Sequence, residues 1–177
     1  MLDRALEKAP LTGPAALKNG VVRTKATYRA LDDLCSAIKS IPGKKRVLWI
    51  TYGIPSQLQT TSGFQNLKQY LLELGSRFNR ADAVIYSLDP GINIAGGLMN
   101  RDGLEILSAS TGGIAFVTSD LSKAVAQARN DNLFGYLVEY MPLTRDSPDH
   151  YHTVRMRSLR KGIRLRTQQI YLPYAAR

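Results

Sequence analysis

The chain has 177 residues, with 24 lysines and arginines against 14 aspartates and glutamates, for a formal net charge of +10. That length suffices for one domain with a real core, or one domain plus a small appendage. A hydrophobic fraction of 44% and a mean hydropathy of −0.19 exclude a disordered or membrane-embedded composition.

No apolar run approaches the roughly 18–20 residues of a membrane span. The opening "MLDRALEKAP" carries charges where a signal peptide has its apolar core, so the chain as given shows no export signal. A single cysteine, Cys35, excludes an intramolecular disulfide and a cysteine-based zinc site. It lies in the helical pattern "YRALDDLCSAIKS", where a small buried thiol is expected. Charge is unevenly spread: residues 145–177 hold eight basic residues and two acids, a net +6. Such asymmetry points toward an acidic or polyanionic partner.

In chain order, residues 1–23 read as an irregular, partly helical segment interrupted by Pro10 and the loop-like "LTGPAALKNG". From Thr24 the spacing of Tyr28, Leu31, Leu34 and Ile38 predicts a helix, with Thr27 as its N-cap and Pro42-Gly43 as its stop. Arg46–Thr51 is a short apolar run read as a buried strand. The polar loop "YGIPSQLQTTSG" follows, then a helix with Phe64, Leu67, Leu71, Leu74 and Phe78 along one face. Asp82–Leu88 is a second buried strand, and residues 89–103 form a long glycine-rich loop. "LEILSAST" is a short helix, Ile114–Val117 a third strand, and Ser119 or Asp120 caps a helix running to about Arg129. Alternation of this kind implies a parallel sheet flanked by helices on both faces.

After Asn130 the period changes from 3.6 to 2. Leu133–Met141, Tyr151–Leu159 and Gly162–Leu172 are strand candidates, the last two joined across Arg160-Lys161-Gly162, where glycine can supply a positive φ. Apolar and basic residues alternate in both arms, so Arg155, Arg157, Arg164 and Arg166 are expected on one face. The organisation is thus an N-terminal segment (1–23), a partial α/β domain (24–130) and an antiparallel β tail (131–177).

The segments "TYRALDDLCSAIKSIPGKKRVLWITYGIPS", "RFNRADAVIYSLDPG", "TGGIAFVTSDLSKAVAQARNDNLFGYLVEYMP" and "HTVRMRSLRKGIRLRTQQIYLP" resemble, in that order, pieces of the von Willebrand factor A-related family of bacterial, mostly predicted secreted proteins. The resemblance covers roughly residues 24–174. It implies a doubly wound sheet whose metal-ion-dependent adhesion site lies at the carboxyl ends of the central strands. That site needs hard oxygen ligands around Mg²⁺: a DxSxS loop, a threonine and an aspartate.

Here the DxSxS loop is absent, and the chain begins downstream of the strand that should precede it. The expectation is therefore a fragment whose Arg46–Thr51 strand has an edge open to self-association, unless residues 1–23 or another chain cover it. Thr27, with Thr24 as the alternative, falls near the ligand threonine, and Tyr52 stands in "TYG" where a metal-binding member has "TDG". A tyrosine, with a pKa near 10, is a poor Mg²⁺ ligand at neutral pH. Neither a metal nor another cofactor is expected.

Three function classes are weighed. A non-enzymatic protein-interaction or adhesion-type scaffold would use the loops 52–63 and 89–103, with Thr51, Tyr52, Gly53, Ser56, Asp89 and Met99 as contact candidates and Tyr86 as a further anchor. The alternative is a polyanion-binding module using Arg155, Arg157, Arg164 and Arg166, for which nucleic acid, an acidic glycan or a phospholipid surface would serve. Nucleic acid is the weaker form of that alternative, because stacking aromatics are sparse among these arginines; their simpler role is a solvated edge that discourages aggregation. An enzyme is disfavoured. "GGLMNRDG" and "STGGIAF" do not follow a strand and open a helix as nucleotide fingerprints do, and "TSGF" lacks the frame of a nucleophile elbow. The only histidines, His150 and His152, lie over a hundred residues from Cys35, and nothing in the sequence pairs them with that thiol as base and nucleophile.

Overall fold

A computed structural model describes residues 15–60, 63–91, 100–131, 138, 152–163, 165, 167 and 170–171. The sequence readings on Met99, Arg164, Arg166, His150 and the strand Leu133–Met141 lie outside these residues, apart from Val138.

Helix α1 spans Ala15–Ile38 and presents Val21, Thr24, Tyr28, Leu31 and Cys35 as its buried stripe. Their three- and four-residue spacing is the helical period. Two expectations change. The helix begins well before Thr27, so Thr27 is an interior residue whose hydroxyl donates back to the Arg23 carbonyl (2.9 Å) rather than an N-cap. The stripe runs through Cys35, buried as expected, to Ile38, while Leu34 faces outward.

Strand β1 (Lys45–Ile50) follows, and then β2 (Gln57–Thr60) and β3 (Gly63–Asn66) form an antiparallel hairpin. The sequence reading took this stretch as loop and helix start. Its polar composition hides a period of two, in which Leu58 turns inward and its neighbours turn outward. Phe64 consequently sits on a strand, 69% exposed, and is not part of the helical stripe. Helix α2 (Lys68–Arg80) buries Leu71, Leu74 and Phe78 as expected.

A two-residue turn, with Asp82 at φ +51, leads into β4 (Ala83–Asp89), all seven residues of which are buried. Helix α3 (Arg101–Ser110), strand β5 (Ala115–Val117) and helix α4 (Leu121–Asn130) complete the α/β part. Asp120 caps α4, accepting from the Lys123 amide at 2.9 Å.

The three parallel strands lie in the order β1-β4-β5. One face carries Val47, Trp49, Ala83, Ile85 and Ala115 into the main core, with the buried faces of α1, α2 and α3. The opposite face carries Val84, Tyr86, Ile114 and Phe116 against Ala128 of α4. Helices therefore flank both faces. Tyr86 is a core residue on the α4 side, fully buried, and its hydroxyl donates to Asp131 (3.2 Å); it is not a surface anchor.

The strand read as buried from Arg46–Thr51 is only half buried. Arg46, Leu48 and Ile50 are exposed, because α4 covers β4 and leaves the same face of β1 uncovered. Among the described residues no strand pairs with β1 on the side away from β4.

The tail is less regular than its sequence alternation suggests. Strands β6 (His152–Thr153) and β7 (Ile170–Tyr171) pair antiparallel, His152 with Tyr171 and Thr153 with Ile170. That register is the one expected for a turn at Arg160–Gly162, where Gly162 has φ +81. Among the described residues the ladder is two residue pairs long, shorter than the strands Tyr151–Leu159 and Gly162–Leu172 read from the sequence. Arg155, Met156 and Arg157 are exposed, and a two-stranded hairpin without a buried face is marginal as a ladder.

Candidate functional site at the carboxyl ends of the parallel strands

The carboxyl ends of β1 and β4 face the first turn of α3, and three short segments lock together there. Thr51 continues the β1–β4 ladder, its amide donating to the Leu88 carbonyl (2.9 Å). The chain then turns through Tyr52 and Gly53. The Thr51 hydroxyl lies 3.4 Å from both the amide and the carbonyl of Gly53. The Ile54 amide donates to the Asn100 carbonyl (3.0 Å).

Two glycines permit this approach. Gly53 has φ +129, and a Cβ there would lie 2.4 Å from Asn100 Cβ. On the facing helix a Cβ at Gly103 would lie 2.1 Å from the Ile54 carbonyl oxygen. The Ser56 hydroxyl donates to the Asp102 carboxylate, whose other oxygen accepts from the Gly103 amide (2.8 Å). An acidic side chain in the first turn of a helix is also favoured by the helix dipole.

From below, the Tyr28 hydroxyl of α1 donates to the Pro55 carbonyl (3.3 Å). Burial, with a smaller contribution from Asp102, raises the Tyr28 pKa far above that of a free tyrosine.

Asp89 ends β4 with 1% of its surface exposed. One carboxylate oxygen accepts from the Gly91 amide (2.8 Å) and the other from Arg101 Nε (2.8 Å). Arg101 Nη2 donates in turn to the Gly91 carbonyl (2.8 Å). A buried carboxylate requires a compensating positive charge or several donors, and here a guanidinium of the same chain supplies it. Arg101 was not among the sequence candidates: it lay in a stretch read as one long loop, and its partner is twelve residues back. The only hint was an arginine at the junction between a glycine-rich loop and a helical pattern.

The remaining candidates separate by exposure. Ser56 is buried and Thr51 and Gly53 are half-buried, whereas Tyr52 is 64% exposed. The side chains of Ser56 and Asp89 are thus occupied in fixing the loop, and Tyr52 is the one presented outward. Among the described residues no three His, Cys, Asp or Glu side chains come together in a metal-ligating group. Cys35 lies in the core, where burial, followed by the nearby Asp32, raises its pKa. An open depression of about 710 Å³ lies along α4, lined by Leu121, Val125 and Arg129 among others, with no acid, histidine or cysteine among the described lining residues.

On the tail, Arg155 and Arg157 are both exposed, as are Arg160 and Lys161 of the turn. No helix among the described residues is long and apolar enough to cross a membrane.

No family model, no curated protein and no solved structure matches this chain.

Proposed function

We propose that the chain is a non-enzymatic protein-contact module of the von Willebrand factor A-related type, with a degenerate strand-end site in which an internal arginine neutralises the buried carboxylate. The observation that carries this reading is the Asp89–Arg101 pair. The buried acid at the strand ends already has both oxygens bonded, to a guanidinium and an amide. The parallel order β1-β4-β5 also accords with the second half of such a sheet.

On this reading contact with a protein partner, including a second copy, runs along β1. Leu48 (37% exposed), Ile50 (53%) and Tyr52 (64%) form an outward series at and just beyond the strand. An apolar edge strand is a template for pairing with another chain.

Two measurements test the reading. Titration with Mg²⁺ or Mn²⁺ followed by thermal shift is expected to leave the melting temperature unchanged, and saturable stabilisation would contradict it. Sedimentation velocity across a concentration series is expected to show reversible self-association that Ile50→Lys abolishes. A wild-type chain that stays monomeric at 100 µM, the top of that series, would remove β1 as a self-contact surface.

A further inference from the structure

The hairpin between β6 and β7 combines two properties that a solvated turn does not need together. First, it is cationic without relief: from His150 to Arg177 there are seven basic residues and no acid. Second, it exposes large apolar side chains. Met156 is 42% exposed, Ile163 49%, Leu165 43% and Leu159 96%.

Leu159 owes its position to the turn itself. The Ser158 hydroxyl accepts from the Arg160 amide and donates to the Arg160 carbonyl, both at 3.1 Å, while Gly162 reverses the chain at φ +81. This local bonding holds Leu159 out at the tip, flanked by exposed Arg157, Arg160 and Lys161.

We propose that this hairpin docks the protein on the surface of an anionic lipid bilayer, inserting Leu159 and its apolar neighbours among the headgroups while the basic residues pair with lipid phosphates. Interfacial binding of amphipathic elements rests on buried apolar area plus attraction to anionic lipid, and this turn supplies both within a few residues. Charge complementarity selects an anionic surface. The apolar tip selects a bilayer over nucleic acid, because a phosphate backbone gives Leu159 and Ile163 nothing to bury against. No aromatic side chain stands between His152 and Ile170 to stack on bases. The residues it uses are not those of the β1 surface, so this proposal and the protein-contact reading stand or fall independently.

The test is flotation of the intact chain with large unilamellar vesicles of pure phosphatidylcholine, and of phosphatidylcholine with 30% phosphatidylglycerol, at 25 and 150 mM NaCl. Binding is expected to the anionic vesicles alone and to weaken with salt. Arg160→Ser/Lys161→Ser should weaken it about thirtyfold, and Leu159→Ser about tenfold. All three positions are exposed, so the melting temperature of each variant should match the wild type, which excludes misfolding as the cause. Equal binding to both vesicle types, or none to either, would overturn the proposal. So would a Leu159→Ser variant that binds anionic vesicles as tightly as the wild type, because the surface would then be a generic polyanion site. Retention on heparin or duplex DNA that survives 150 mM NaCl while vesicle binding does not would overturn it in favour of a soluble polyanion.

Discussion

Strands β1 and β4 lie side by side in one parallel sheet, and their sequences, "KRVLWI" and "AVIYSLD", are both dominated by bulky apolar residues. Their fates differ. Every residue of β4 is buried, whereas β1 alternates between half-buried and exposed. The difference lies in the neighbours: β4 has a strand on each side and helices over both faces, while β1 has one strand partner among the described residues and one covered face. An apolar run therefore specifies a strand that can be buried, and the surrounding elements decide how much of it is.

That contrast can be broken most forcefully in β4. Ile85→Ala removes a fully buried side chain and should cost about 4 kcal/mol, or roughly 8–16 °C in melting temperature for a chain of this size. Chemical denaturation checks it. Next comes the polar end of the same strand: Asp89→Ala leaves Arg101 with no carboxylate partner in a largely buried position. We expect a loss of about 3 kcal/mol, the low end for a broken buried pair, because the guanidinium retains some solvent.

A smaller effect is expected where α3 meets the β1 loop. Gly103→Ala would force its Cβ against the Ile54 carbonyl, costing about 1–3 kcal/mol, and should increase proteolysis between Thr51 and Ser56 as the loop is pushed off the helix.

Tyr28 sharpens the comparison through pH. Its phenol ionises in the unfolded chain near pH 10 but is held neutral by burial in the folded one. The folded state then retains a proton that the unfolded state has lost. The contribution is intact below about pH 10 and declines as pH rises toward the elevated folded value, by about 1.4 kcal/mol per unit. Tyr28→Phe should cost about 1 kcal/mol at neutral pH through the lost bond to Pro55 and flatten the alkaline slope. Paired denaturation curves at pH 7 and 10.5 read both effects. The smallest change belongs to β1: Leu48→Ala, on its uncovered face, should cost under about 1 kcal/mol in the monomer.

Legibility followed the physics of each element. The periodicity of α2, the strand at Ala83–Leu88 and a helix cap at Ser119 or Asp120 were readable because each is set by residues close in sequence. The hairpin β2–β3 was not, since glutamines and threonines mask the single inward residue, Leu58. Thr27 misled because a threonine at the start of a strong apolar pattern has the chemistry of an N-cap, yet the helix had already begun at Ala15. At the strand ends, Tyr52 was singled out as a contact candidate and is exposed, but Arg101 was not found, because its partner Asp89 is brought to it only by the return of the chain after the loop. Asp89 and Ser56, singled out as contact candidates, lie by the strand ends, where each spends its side chain on a neighbouring segment.

By itself the sequence determined the alternation of helices and strands, the excess of positive charge in the last 33 residues and the location of the turn at Arg160–Gly162. These depend on local spacing and composition, which need no knowledge of what lies across the fold. Only the tertiary structure decided that β1 is covered on one face and that Asp89 is neutralised by Arg101. Burial and charge compensation are properties of neighbours, and in this chain the decisive neighbours come from separate elements.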